Sequence, residues 1–171
     1  FWALGRLALL VSFIMPAMQY LAHPYVSRGG AESFTTRSSI VLGGIIAFSA
    51  IIVFSGVLAP KLWASILGDS YENTYKYVPL ALSAACISIV SRTIYTLIIA
   101  SGETTFISAS VPVGITVQIV MYTTNPINSV FTAYMFTIAA SLAVCSVHLC
   151  NLLRSNLLLR RRRNVRLQEG L

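Results

Sequence analysis

Apolar residues fall in long unbroken runs along this chain, separated by short polar stretches. The run VLGGIIAFSAIIVFSGVLA at 41–59 carries no charge and no alternation of period two. It is about twice the length of a membrane β-strand, and about 20 apolar residues suffice for a helix to cross a hydrocarbon core of about 30 Å. Five such spans are predicted: 1–22, 40–59, 78–100, 106–123 and 130–153. A polar loop, HPYVSRGGAESFTTR, is expected to follow the first, over 23–38. Pro60 closes the second. Pro79 is compatible with the first turn of the third, where its missing N–H costs nothing. The tight turns SGETT and TNPINS frame the fourth span, and an arginine-rich tail, 154–171, ends the chain. Between the second and third spans, Leu62, Trp63, Ile66 and Leu67 share one helical face. With Trp63, Tyr71, Tyr75 and Tyr77 suited to headgroup depth, this predicts a short helix lying on the membrane surface.

Composition removes the alternative of a soluble core. Hydrophobic residues make up 56% of the 171 and charged residues 10%, against about 25% charged in an ordinary soluble domain. The predicted fold class is therefore all-α, a polytopic membrane helix bundle of about five transmembrane helices. The chain opens on Phe1 within an apolar run, without the basic n-region and cleavage site of a signal peptide, which predicts the C-terminal piece of a longer protein. The three cysteines lie in apolar runs and read as small apolar groups, with no metal-ligand spacing and no disulfide framework.

Charge then orients the bundle. Five crossings put the 23–38 loop and the tail on one side with Arg28, Arg37, Arg154, Arg160, Arg161, Arg162, Arg163 and Arg166, against Lys61 and Lys76 on the other. The positive-inside rule places the C-terminus in the cytoplasm of a multi-pass cell-membrane protein. The run Arg160–Arg163 follows a span directly, so anionic membrane lipids are its expected partner and nucleic acid is not.

Candidate chemistry is sparse. No phosphate loop, nucleophile elbow or metal motif is present, and no catalytic residue, metal or cofactor is expected. No Asp or Glu lies within a span, whereas Arg92 and Arg6 do. Arg92 lies about 12 Å deep at helical rise, in the hydroxyl-rich flank ISIVSRTIYT. A guanidinium there suits a polar cavity and an anionic group such as phosphate. Ser88 and Thr96, one turn to either side, and Ser91 are expected to keep that face wet. Arg6 is a second cavity candidate near the outer end of its span. Pro112 and Gly114 predict a kink in the fourth span, as in the bent helices at transporter binding sites. Gly43 with Ala47 is a small-xxx-small pair fit for close helix contact. His23 and His148 are expected at the cytoplasmic interface.

Several local patterns, in order, resemble one family. Pro24, Ser27 and Arg28 in the first loop, Ala59, Pro60, Leu67, Gly68 and Tyr71 as "AP…LxGxxY", and Ala100, Gly102 and Thr104 as "AxGxT" resemble the C-terminal half of polysaccharide flippases of the multidrug/oligosaccharidyl-lipid/polysaccharide exporter superfamily. Glu103 departs from the base the family carries there, and TNPINS lacks its glycines. The resemblance implies a fragment of a two-lobed chain of twelve or more helices, with the N-terminal lobe missing. It implies alternating access that flips a lipid-linked glycan, carried on an undecaprenyl- or dolichyl-type diphosphate, in polysaccharide biosynthesis. A multidrug antiporter of the same superfamily is the alternative. A membrane-embedded glycosyl- or acyltransferase is a further one, resting on Asp69 and Glu72 alone.

Overall fold

The computed structural model describes residues 2–28, 30–68, 74–102, 107–125 and 127–168, with side chains at all of these except 2, 3, 15, 17–19, 30–32 and 159–168. Seven α-helices follow in order: α1 (Trp2–Ser12), α2 (Ile14–Ser27), α3 (Gly30–Leu58), α4 (Pro60–Ser65), α5 (Val78–Ser101), α6 (Ser110–Thr124) and α7 (Val130–Gln168). No strand occurs among the described residues. Four stretches are long and apolar enough to cross a membrane: Ser33–Leu58, Thr74–Ser101, Ile107–Thr124 and Val130–Leu158. The protein is an all-α membrane-type bundle.

The first expected span is a broken helix. Pro16 has no N–H to give to the Ser12 carbonyl, and its ring crowds that turn. The break falls at Phe13, whose amide contacts both Leu9 and Leu10 carbonyls at 3.0 and 3.3 Å. A second proline, Pro24, lies inside α2.

The 23–38 stretch is not the polar loop its composition suggests. α2 continues to Ser27 and α3 begins at Gly30. Arg37, from inside α3, donates to the Tyr25 carbonyl at 2.8 Å and lies 5.1 Å from the Tyr25 ring centroid. It thereby takes a carbonyl that the last turn of α2 leaves without a helical partner, at the negative end of the helix dipole. Polar side chains used this way extend a helix and do not end it.

Direction alternates along the chain. Gly56 on α3 abuts Leu82 and Val78 on α5, and Thr35 reaches Asn156 on α7 at 3.5 Å, so α3 runs opposite to both. Ser88 meets Ser141 at 3.3 Å and Ser91 meets His148 at 3.2 Å, so α5 and α7 are parallel. Leu4, Leu7 and Val11 pack with Val78–Ile89, and Val26 with Ile94–Ile98, which aligns α1 and α2 with α5.

α5 is the axis of the bundle. Of its apolar window 61% is buried, against 17% for α3 and α7 and 6% for α6. Ala81, Ala84, Ala85 and Cys86 supply small surfaces on which neighbouring backbones approach closely. Gly43 and Ala47 do not serve this purpose. Both are exposed, and Gly43 has nothing within 4 Å of an added Cβ.

The 60–77 segment contains a six-residue helix, α4, opened by Pro60. Its inward face is Trp63, Ala64 and Leu67, while Leu62 and Ile66 are exposed, so the face drawn from sequence is split. Trp63 Nε1 donates to Ser55 Oγ at 3.2 Å, tying α4 back to α3. Lys61 and Lys76 lie over the Tyr75 and Tyr77 rings at 6.0 and 5.1 Å. Tyr71, Asp69 and Glu72 lie outside the described residues, as do Glu103 and Thr104 of SGETT.

The tail continues α7 as helix to Gln168, giving 39 residues and a length of roughly 58 Å at helical rise. That exceeds the hydrocarbon core by far, so its arginine-bearing end projects beyond the apolar window that closes at Leu158. The side chains of Arg160–Arg163 are outside those described.

Candidate functional site: a cleft beside Arg92

Both prolines of α2 line a gap between that helix and α5. It is a cleft of about 640 Å³ lined by Pro16, Tyr20, His23 and Pro24 on α2 and by Tyr95, Thr96 and Ile99 on α5. That volume lies within the range of small-molecule sites. Tyr20, His23 and Tyr95 are exposed, so a phenol, an imidazole and the Thr96 hydroxyl give the cleft polar groups amid apolar walls.

Arg92 is exposed although Ser91, Thr93 and Ile94 around it are buried. It stands one helical turn before Tyr95 and Thr96, two of the residues that line the cleft. The Arg92 carbonyl accepts from Thr96 Oγ1 at 3.0 Å, while its guanidinium has no partner among the described residues.

The remaining sequence candidates are dispersed. Ser88 donates to the Ala84 carbonyl at 3.0 Å and meets Ser141 of α7. Ser91 is buried and turned to His148, so it does not wet the Arg92 face. Thr96 lines the cleft, though only 8% exposed. Arg6 is exposed on α1 beside Leu4 and Leu7, which cluster with the N-terminal half of α5. Arg92 lies in the C-terminal half of α5, and the fold does not bring the two together.

Pro112 does not kink the middle of a span. It occupies the first turn of α6, just after a 3-10 turn at Ile107–Ala109. There its missing N–H is one that the helix start leaves free in any case. Gly114 serves close packing instead, since a Cβ there would lie 3.0 Å from Val144 Cγ2. The break falls instead in the first span, between α1 and α2, and the signal for it was in the sequence: Pro16 within that apolar run.

A second cavity of about 370 Å³ lies between α3, α5 and α7, lined by Ser49, Val53, Ser83, Cys86, Val90 and Cys145 among others. Of the cysteines, Cys86 is buried and Cys145 half-buried, but Cys150 is exposed, unlike the buried group expected. No group of three or more metal-ligating side chains occurs among the described residues.

His148 departs most from expectation. It is only 6% exposed, not interfacial, with Nδ1 at 3.2 Å from both the Ser91 hydroxyl and the Ser91 carbonyl. Its ring centroid lies 5.5 Å from that of Tyr95, so it backs the wall of the cleft. The missed signal is a spacing of seven: Ser141, His148 and Ser155 form one polar row down α7, facing the polar positions of α5. Comparison with protein-family profiles, characterised proteins and solved structures gives no match to this chain.

Proposed function

We propose that this chain forms part of a membrane transporter that flips a lipid-linked oligosaccharide across the cell membrane by alternating access. The observation that carries the reading is Arg92, an exposed guanidinium with no partner among the described residues, on the most buried of the spanning helices and one turn before Tyr95 and Thr96, which line a cleft with polar groups. A charge at that depth is retained where water or an anionic ligand meets it. A lipid-linked sugar bears a diphosphate that must cross the same hydrocarbon, and a guanidinium fork matches phosphate oxygens in pairs. The break between α1 and α2 supports the same reading, because irregular helices at membrane depth occur where they line a cavity.

In this arrangement the C-terminus is cytoplasmic, with Arg160–Arg163 on anionic lipid headgroups. The partner lobe is supplied by further helices of the same protein.

Full-length protein carrying Arg92→Lys or Arg92→Ala tests the reading by complementation of a flippase-deficient strain at matched expression. A point charge in place of the fork is expected to weaken transport, and removal of charge to weaken it more. Both variants are expected to insert normally, since loss of a charge makes the span more apolar. Wild-type complementation by Arg92→Ala overturns the proposal.

A further inference from the structure

The polar row on α7 is satisfied by protein at its outer end and not at its inner end. Ser141 has Ser88, and His148 Nδ1 has Ser91. Beyond that point three buried side-chain atoms have no hydrogen-bond partner among the described residues: His148 Nε2, Asn151 Nδ2 and Ser155 Oγ. His148 and Ser155 are 6% and 1% exposed. The three residues recur at i, i+3 and i+7, which places them on one face of one helix.

Each such atom costs about 1–3 kcal/mol if left unbonded, and the cost is felt most where the surroundings are apolar. Buried polar groups without protein partners are the places where proteins hold water. The row from His148 to Ser155 spans roughly 10 Å of helix rise, a length that about three waters bridge at ordinary hydrogen-bond spacing.

The partners of His148 also fix its protonation pattern. A backbone carbonyl only accepts, so the contact from Nδ1 to the Ser91 carbonyl at 3.2 Å makes Nδ1 the N–H in neutral imidazole. Nε2 then carries a lone pair, at the outer end of the unsatisfied row. Ionisable groups with described side chains on the elements packed around it are Arg37 on α3, Cys86, Arg92 and Tyr95 on α5, Tyr122 on α6, and Tyr134, Cys145, Cys150 and Arg154 on α7. No acidic side chain is among those described. The Tyr95 ring packs against the imidazole and joins it to the cleft.

We infer that His148, Asn151 and Ser155 hold a file of buried water along α7, and that His148 Nε2 at its end is a proton-accepting site behind the cleft. The proton enters as hydronium passes its proton along the file. It ends on the Nε2 lone pair, giving imidazolium with both ring nitrogens as donors. Water remains as the acceptor for the new N–H. The site lies one ring contact from Tyr95, so its charge state bears on the cleft wall whatever the cleft carries.

The test uses the full chain in lipid nanodiscs with 15N-labelled histidine. The protein has two histidines, and a His23→Gln variant assigns the remaining ring signals to His148. Solid-state NMR with magnetisation transfer from water is expected to show a water contact at Nε2. That nitrogen is expected to be unprotonated at alkaline pH and to gain a proton as pH is lowered over the range in which the chain stays helical. Asn151→Leu is expected to reduce water transfer to the ring severalfold while Asn151→Gln restores it, with helix content unchanged in both. No water transfer to His148, which is the result if Asn151 Nδ2 swings to bond Nε2 directly, overturns the inference. So does an Nε2 that stays unprotonated throughout that range, or an Asn151→Leu chain that is helical and hydrated as before.

Discussion

Gly56 packs directly against Leu82 and Val78 of α5, and its replacement by alanine is a direct test of the packing around the central helix. An added Cβ would overlap Leu82 Cδ1 and lie 3.6 Å from Leu82 Cγ and 3.8 Å from Val78 Cγ1. The end of a leucine side chain normally yields, but Leu82 and Val78 are both 0% exposed and sit in the main apolar cluster. Forcing extra volume into such a site costs about 1–3 kcal/mol. Alanine also gains about 1 kcal/mol over glycine as a helix former, which obscures the overlap in the single variant. Gly43→Ala on the same helix removes that ambiguity, because it has the same propensity gain and nothing within 4 Å. The difference between the two variants isolates the overlap and is expected to be about 1–3 kcal/mol, or about 5- to 150-fold in the unfolding equilibrium. Equilibrium unfolding of the full chain in mixed micelles, followed by helical circular dichroism, measures it. Combining Gly56→Ala with Leu82→Ala is expected to cost less than the sum of the two, since one change relieves what the other crowds. Equal stability of Gly56→Ala and Gly43→Ala, or strict additivity with Leu82→Ala, refutes this packing argument.

Two further outcomes are expected. Arg37→Ala removes the donor to the Tyr25 carbonyl and is expected to cost about 0.5–2 kcal/mol locally. Hydrogen exchange at 24–28 reads it, and unchanged protection there counts against the capping role. Single cysteines placed at 127 and at 167, in a chain whose native cysteines are replaced, are expected to react with impermeant reagent from opposite faces of sealed vesicles. Reaction of both from one face removes the assigned topology.

Membrane character was legible in the sequence because it depends on quantities that add along the chain. Length of apolar run and scarcity of charge fix a helix that spans, whatever it packs against. Four of the five apolar spans map onto long helices that cross on length and hydropathy. The first is broken, and Pro16 was enough to predict that, had it been weighed as Pro112 in the fourth span was.

What the sequence did not determine is which neighbour each residue meets. The small pair Gly43 and Ala47 looked like the contact site, yet Gly56 and Gly114 are the glycines pressed against side chains. Spacing along one helix cannot say which of its faces another helix covers. The 23–38 stretch carried loop-like composition, and only the Arg37 contact across to Tyr25 shows how its polar groups are used inside helices. Ser88, Ser91, Arg92 and Thr96 formed one local cluster in sequence. The bundle divided them, giving Ser91 to His148 and Ser88 to Ser141, and leaving Thr96 in the cleft wall with Arg92 one turn before it. Hydropathy is a property of a segment and survives in any arrangement. Burial and polar pairing belong to the arrangement itself, and here they were decided only when α5 was enclosed by its neighbours.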